Sequence, residues 1–88
     1  MQTISAGSLV SCDVLVNIQR CDEPDIKIEV DSVVNLQYGS HLKKLVEQEV
    51  KKFFSSGIKV KLVDNGALDY VIKARVKTAC LRLKEAYK

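Results

Sequence analysis

Three residues near the amino end combine chemistry with access. Ser11 stands in Gly7-Ser8-Leu9-Val10-Ser11-Cys12-Asp13-Val14-Leu15-Val16, at the mouth of an apolar alternating run, with an aspartate two places on and no charge before that aspartate. A hydroxyl just outside a strand, among small residues, is reachable by another protein. The plain alternative is a serine that merely begins a strand. Ser8 is a competing hydroxyl and Ser5 a poorer one, since neither has an aspartate two places on. Arg75 is the other residue that asks for a partner. Projected on a helix it falls inside an apolar arc, so its stem packs while its head pairs with a carboxylate such as Asp64 or Asp69, reaches water, or meets phosphate oxygens with its planar fork.

Other constellations are missing. His41 is the only histidine and has no neighbour that would complete a serine or cysteine triad, so it reads as a surface side chain. Cys12, Cys21 and Cys80 are odd in number and lack paired spacing, which argues against a disulfide framework and a zinc site and for reduced thiols. No glycine-rich phosphate cradle, metal-ligand pair or nucleophile elbow occurs. Catalytic residues and metal ligands are therefore expected to be none.

The elements that must position Ser11 follow from periodicity. Val14, Val16 and Ile18 alternate with polar residues, as do Ile26, Ile28 and Val30, giving two half-buried strands. The polar stretch between them holds the only proline, and the simplest reading pairs the strands as an antiparallel hairpin with a long turn. Leu42, Leu45, Val46, Val50, Phe53 and Phe54 are spaced as one helical face, with Ser40 as N-cap and Gly57 as stop. Ile58, Val60 and Leu62 form a third strand, ended by Asp64-Asn65-Gly66. Residues 67–88 then place Leu68, Val71, Ile72, Val76, Ala79, Leu83 and Ala86 on one helical face, with Asp69 in the first turn.

The order strand, strand, helix, strand, helix predicts a small α+β two-layer sandwich: a three-stranded mixed sheet covered by two helices. The helix joining the second and third strands makes them parallel, with a right-handed crossover. Residues 1–88 form one domain, and residues 1–10 are expected to be a flexible amino-terminal arm.

Composition bounds the function. A chain of 88 residues supports one core but not an enclosed active site built from several loops, so it is expected to bind or carry. The hydrophobic share is 47% and the mean hydropathy −0.01, as in globular domains; no run approaches the roughly 18 apolar residues of a membrane span. The first seven residues have neither a basic start nor an apolar block, so no secretory signal is read and a cytoplasmic location is expected, without membrane partners. The net charge is +3, with acidic residues gathered between Asp22 and Asp31 and basic ones, Lys73, Arg75, Lys77, Arg82, Lys84 and Lys88, in the last helix. That basic face is either a solvated surface or one that meets phosphates or an acidic partner.

Three blocks together carry a resemblance. Ser11-Cys12-Asp13-Val14-Leu15-Val16, Asp31-Ser32-Val33-Val34-Asn35-Leu36-Gln37-Tyr38-Gly39 and Asp64-Asn65-Gly66-Ala67-Leu68-Asp69-Tyr70-Val71-Ile72-Lys73-Ala74-Arg75 resemble, in order and spacing over nearly the whole chain, the acyl carrier protein of citrate lyase, its gamma chain. The resemblance implies that Ser11 carries 2'-(5''-phosphoribosyl)-3'-dephospho-CoA through a phosphodiester bond. It implies a non-catalytic carrier of acetyl and citryl thioesters, working with the alpha (transferase) and beta (lyase) subunits of citrate lyase, and a prosthetic-group transferase that loads it. Arg75 then becomes a candidate for a structural ion pair or a cofactor phosphate contact, and Asp13 for recognition by the loading transferase or for hydrogen bonding to local amides. Cys12 departs from the family pattern, in which glycine is common after the serine. The Asp-Ser-Leu signature of helical-bundle carriers is absent. Carriers of malonate decarboxylase or citramalate lyase are the nearest alternatives. A nucleic-acid-binding module is the unrelated one, although no aromatic residues recur on the strands as stacking platforms, and a pure scaffold subunit is the third. No nucleic-acid partner is expected.

Overall fold

The computed structural model describes residues 3–32 and 36–86. Its elements are β1 (Ile4–Gly7), β2 (Val14–Arg20), β3 (Ile26–Ser32), α1 (Leu36–Lys51), β4 (Ile58–Asp64) and α2 (Asp69–Ala86). Two helices pack on one face of a mixed sheet, as the alternating strands and amphipathic helices require. The sheet has four strands in the order β1-β2-β4-β3, not three.

The additional strand corrects the expected flexible arm. Ile4 to Gly7 pair antiparallel with Ile18 to Leu15. With only Ile4 and Ala6 apolar, this strand is too short to show a period, and its stability comes from β2 and from α2. The pairing of β2 with β3 is also corrected. They run in opposite directions but are separated by β4, which is antiparallel to β2 and parallel to β3. Burial explains the order: Ile58, Val60 and Leu62 of β4 are wholly buried and need neighbours on both sides. The apolar residues of β3 are only partly buried, and its alternate positions Lys27, Glu29 and Asp31 are charged, as suits an edge. The expected parallel relation of the strands flanking α1 holds.

Three helix boundaries differ from expectation: α1 ends at Lys51, leaving Phe53, Phe54 and the expected stop Gly57 beyond it. Helix α1 begins at Leu36, so Ser40 lies inside it and is no N-cap. Gly39 also lies inside the helix, where a Cβ would meet nothing within 4 Å. Helix α2 begins at Asp69, and the preceding Leu68 is 61% exposed, since the 100° projection does not extend beyond the helix. Ala86 at the other end is exposed too. Lys88, counted among the basic residues of this helix, lies outside the described residues, as do Val33, Val34 and Asn35 of the second family block.

One core joins the layers. Val14, Val16, Ile18, Val60 and Leu62 from the sheet meet Leu42, Val46 and Val50 of α1 and Ile72, Val76, Ala79, Cys80 and Leu83 of α2. A fully buried Val, Leu or Ile contributes about 1.5–3 kcal/mol. No helix among the described residues is long and apolar enough to cross a membrane.

Candidate functional site

Ser11 sits on the loop that joins β1 to β2, and the structure shows how that loop is held. Gly7 ends β1 at φ 91°, where a Cβ would stand 1.8 Å from the Val14 carbonyl oxygen; only glycine fits. The Ser8 amide then donates to the Val14 carbonyl at 3.1 Å and closes the loop's base. At its tip the Asp13 amide donates to the Val10 carbonyl at 3.2 Å, so that Val10, Ser11, Cys12 and Asp13 make a turn with Ser11 second and Cys12 third. Cys12 has φ 64°, the sign that a type II turn requires at its third residue. Glycine adopts this readily, whereas a side chain costs about 1–2 kcal/mol, so the unusual Cys12 stands where backbone geometry favours glycine.

Asn65, in the turn between β4 and α2, clamps this tip. Its carbonyl accepts from the Cys12 amide at 2.8 Å, its amide donates to the Asp13 carbonyl at 3.0 Å, and its side-chain nitrogen donates to the Leu9 carbonyl at 3.0 Å. Sequence reading passed over Asn65 as a turn residue; its presence in the Asp-Asn-Gly-Ala-Leu-Asp block was the available signal.

Asp13 and Arg75, 62 residues apart, are brought together. Arg75 donates from Nε and Nη2 to the two carboxylate oxygens at 3.2 and 3.1 Å. Ser8 Oγ donates to the same carboxylate at 2.6 Å and the Val14 amide at 2.8 Å. The hydrogen bond from Ser8, then that from Val14, then Arg75, hold the Asp13 carboxyl down at a pKa of about 2 against the cost of burial. The two carboxylates first considered for Arg75 are engaged elsewhere. Asp64 is buried and accepts from Ser32 Oγ and the Ala67 amide, each at 2.9 Å, fixing the entry to α2. Asp69 lies 2.7 Å from Nε2 of half-exposed His41, on the opposite flank of α2.

The three candidate serines now differ. Ser5 Oγ donates to Asn17 Oδ1 at 2.6 Å, and Ser8 Oγ is held by Asp13 and faces the Val10 amide at 3.4 Å. Ser11 is exposed, and its hydroxyl has no hydrogen-bond partner among the described residues. Exposed Leu9 and Val10 precede it, and exposed Leu68 and Tyr70 follow Asn65. The arrangement presents the Ser11 hydroxyl on a turn held by hydrogen bonds, with no base hydrogen-bonded to it among the described residues. No cluster of three or more metal-ligating side chains occurs among the described residues.

Comparison with known proteins shows the family to which the chain belongs. Residues 1–83 match the family model described as malonate decarboxylase delta subunit (MdcD), an ACP family. The citrate lyase acyl carrier protein of Escherichia fergusonii is 39% identical over 91% of this chain and 82% of its own length. That of Streptococcus pyogenes serotype M5 is 41% identical over 92% of this chain and 79% of its own. Among solved structures, a chain of a Pseudomonas malonate decarboxylase hetero-tetramer in complex with malonate superimposes with a TM-score of 0.78 at 20% identity, covering 92% of this chain and 82% of that one, and so shares the fold. The chain belongs to the family of acyl carrier proteins that includes the citrate lyase carriers and the malonate decarboxylase delta subunit.

Proposed function

We propose that this protein is the acyl carrier subunit of a citrate lyase, with 2'-(5''-phosphoribosyl)-3'-dephospho-CoA attached to Ser11 through a phosphodiester. The observation that carries the reading is the state of the serines: Ser5 and Ser8 are engaged by Asn17 and Asp13, while Ser11 stands exposed and unengaged on a clamped turn. Bound there, the group supplies a thiol that holds acetyl or citryl as a thioester. The chain's own residues do the holding. Gly7 lets the loop fold back, Asn65 and the Asp13–Arg75 pair fix the turn, and Ser11 offers its oxygen outward.

Activation of that oxygen falls to a separate prosthetic-group transferase, since no base among the described residues is hydrogen-bonded to it and the Asp13 carboxylate is engaged by Ser8, Val14 and Arg75. Asp13 contributes to recognition by that transferase through the shape of the turn, because its carboxylate points into the loop. Arg75 keeps 45% of its side chain exposed, and a phosphate contact is the second role we assign to it. A tethered thioester meets the alpha (transferase) and beta (lyase) subunits at an effective concentration on the order of millimolar. The carrier itself makes no bonds and works in the cytoplasm.

Citrate is favoured over malonate as the substrate acid by the names of relatives at 39–41% identity. The family model, described by the malonate decarboxylase subunit, favours that complex as the second reading. Reconstitution with partner subunits tests the role: Ser11→Ala is expected to abolish citrate cleavage and Ser8→Ala to support it. Full activity of Ser11→Ala would make the chain a scaffold instead.

A further inference from the structure

The helices cover one face of the sheet and leave the other to solvent. Across the two inner strands of that open face, Asn17 of β2 stands opposite Lys61 of β4, and Gln19 opposite Lys59. These four residues, with Thr3 and Glu29 at either side, line a shallow groove. Its hydrogen-bonding character is one-sided. Ser5 Oγ donates to Asn17 Oδ1 at 2.6 Å and Thr3 Oγ1 to Gln19 Oε1 at 2.8 Å, so each carboxamide has its acceptor occupied and its NH2 group left to donate. Lys59 and Lys61 add ammonium donors. Neither is in an ion pair among the described residues, in contrast to Lys27, which pairs with Glu23. Glu29 is the single carboxylate in the lining and stands opposite Lys61 in the register. Two cations, two amide donors and one anion suit a phosphate ester or diphosphate.

The groove is also within reach of the turn. Asn17 is six positions on from Ser11, at most about 22 Å of extended chain, and the loop folds back on itself within that span. An arm that interposes a phosphodiester and two ribose units before its diphosphate covers a distance of that order.

We propose that the open sheet face between Asn17, Gln19, Lys59 and Lys61 binds the phosphate-bearing nucleotide portion of the arm carried by Ser11. This rests on the attachment reading above. Docking the nucleotide there shortens the mobile part of the tether to its pantetheine end, which raises the effective concentration of the thioester near the molecule's own surface and orients its swing.

The test uses amide and side-chain NMR spectra of the whole chain. Free dephospho-CoA is titrated into unmodified protein, and the spectrum of protein loaded by the transferase is recorded separately, with loading read by intact mass. Shifts are expected at the Asn17 and Gln19 NH2 groups and the Lys59 and Lys61 amides, at millimolar probe and in the loaded protein alike, and they weaken with added salt. Lys59→Ala with Lys61→Ala, both at exposed positions, is expected to weaken the titration by about tenfold or more, and Glu29→Gln to strengthen it. Shifts with the free probe alone keep the groove as a nucleotide site but take it from the arm, which overturns the assignment to Ser11's group. Silence at these residues with both probe and arm overturns the site altogether. A failure to add mass at Ser11 counts against the attachment reading, and the free-probe titration still decides the groove.

Discussion

At position 13 a carboxylate accepts four hydrogen bonds, from Ser8, Val14 and, twice, Arg75, and through them ties the start of the chain to its last helix. With its pKa held at about 2, below the ordinary 3.8, Asp13 supports the folded loop fully above about pH 4, and that support is lost as pH falls through 2. An NMR titration between pH 5 and pH 2 is expected to move the Ser8, Val14 and Asn65 amides together, late in the acid range (about pH 2). Movement centred near pH 4 would mean that the carboxylate is not held. The sequence marked Ser11, Asp13 and Arg75 around one attachment site, but it offered Asp64 or Asp69 and not Asp13 as the partner of Arg75. The Asp13–Arg75 contact spans 62 residues and depends on how α2 lies over β1 and β2, which no local spacing encodes. Ser8 read as a rival acceptor, and its engagement by Asp13 emerged only from the geometry.

Among the elements, the hairpin of β1 and β2 carries the site, and Gly7 is its hinge point. Gly7→Ala would drive a Cβ into the Val14 carbonyl, and we expect a loss of about 2 kcal/mol or more in stability, read by denaturant unfolding. A loss under about 0.5 kcal/mol, as at an ordinary surface position, would show that the loop rearranges freely. The strands and helices with strong periods were legible: β2, β3, β4 and the middle turns of both helices are where alternation and 3.6-residue spacing place them, while the helix ends are not. Strand β1 was not, because four residues with two apolar positions carry no period. Strand order was not legible either. Local alternation shows which face of a strand is buried, but the insertion of β4 between β2 and β3 is decided by how many neighbours Ile58, Val60 and Leu62 need in the finished core.

The whole molecule is a two-layer body of 35 × 22 × 20 Å, in which chemistry lies on the surface and the interior is sealed. Cys80 marks the interior: burial, with help from Glu49, pushes its thiol up to about 12, whereas Cys12 is exposed and Cys21 partly so. A thiol reagent at pH 8 is expected to label Cys12 and Cys21 in the native chain and Cys80 only after unfolding; rapid native labelling of Cys80 would mean that the layers part. A body of this size, with an exposed Ser11 whose hydroxyl has no hydrogen-bond partner among the described residues, suits a carrier that is loaded by one protein and served by others. The attachment of the arm is tested most directly by incubating the chain with its prosthetic-group transferase and the activated cofactor precursor, then mapping the added mass by peptide mass spectrometry. The mass of one phosphoribosyl-dephospho-CoA on Ser11, absent from Ser11→Ala, is the expected result; the same mass on Ser8, or none on any serine, would contradict it.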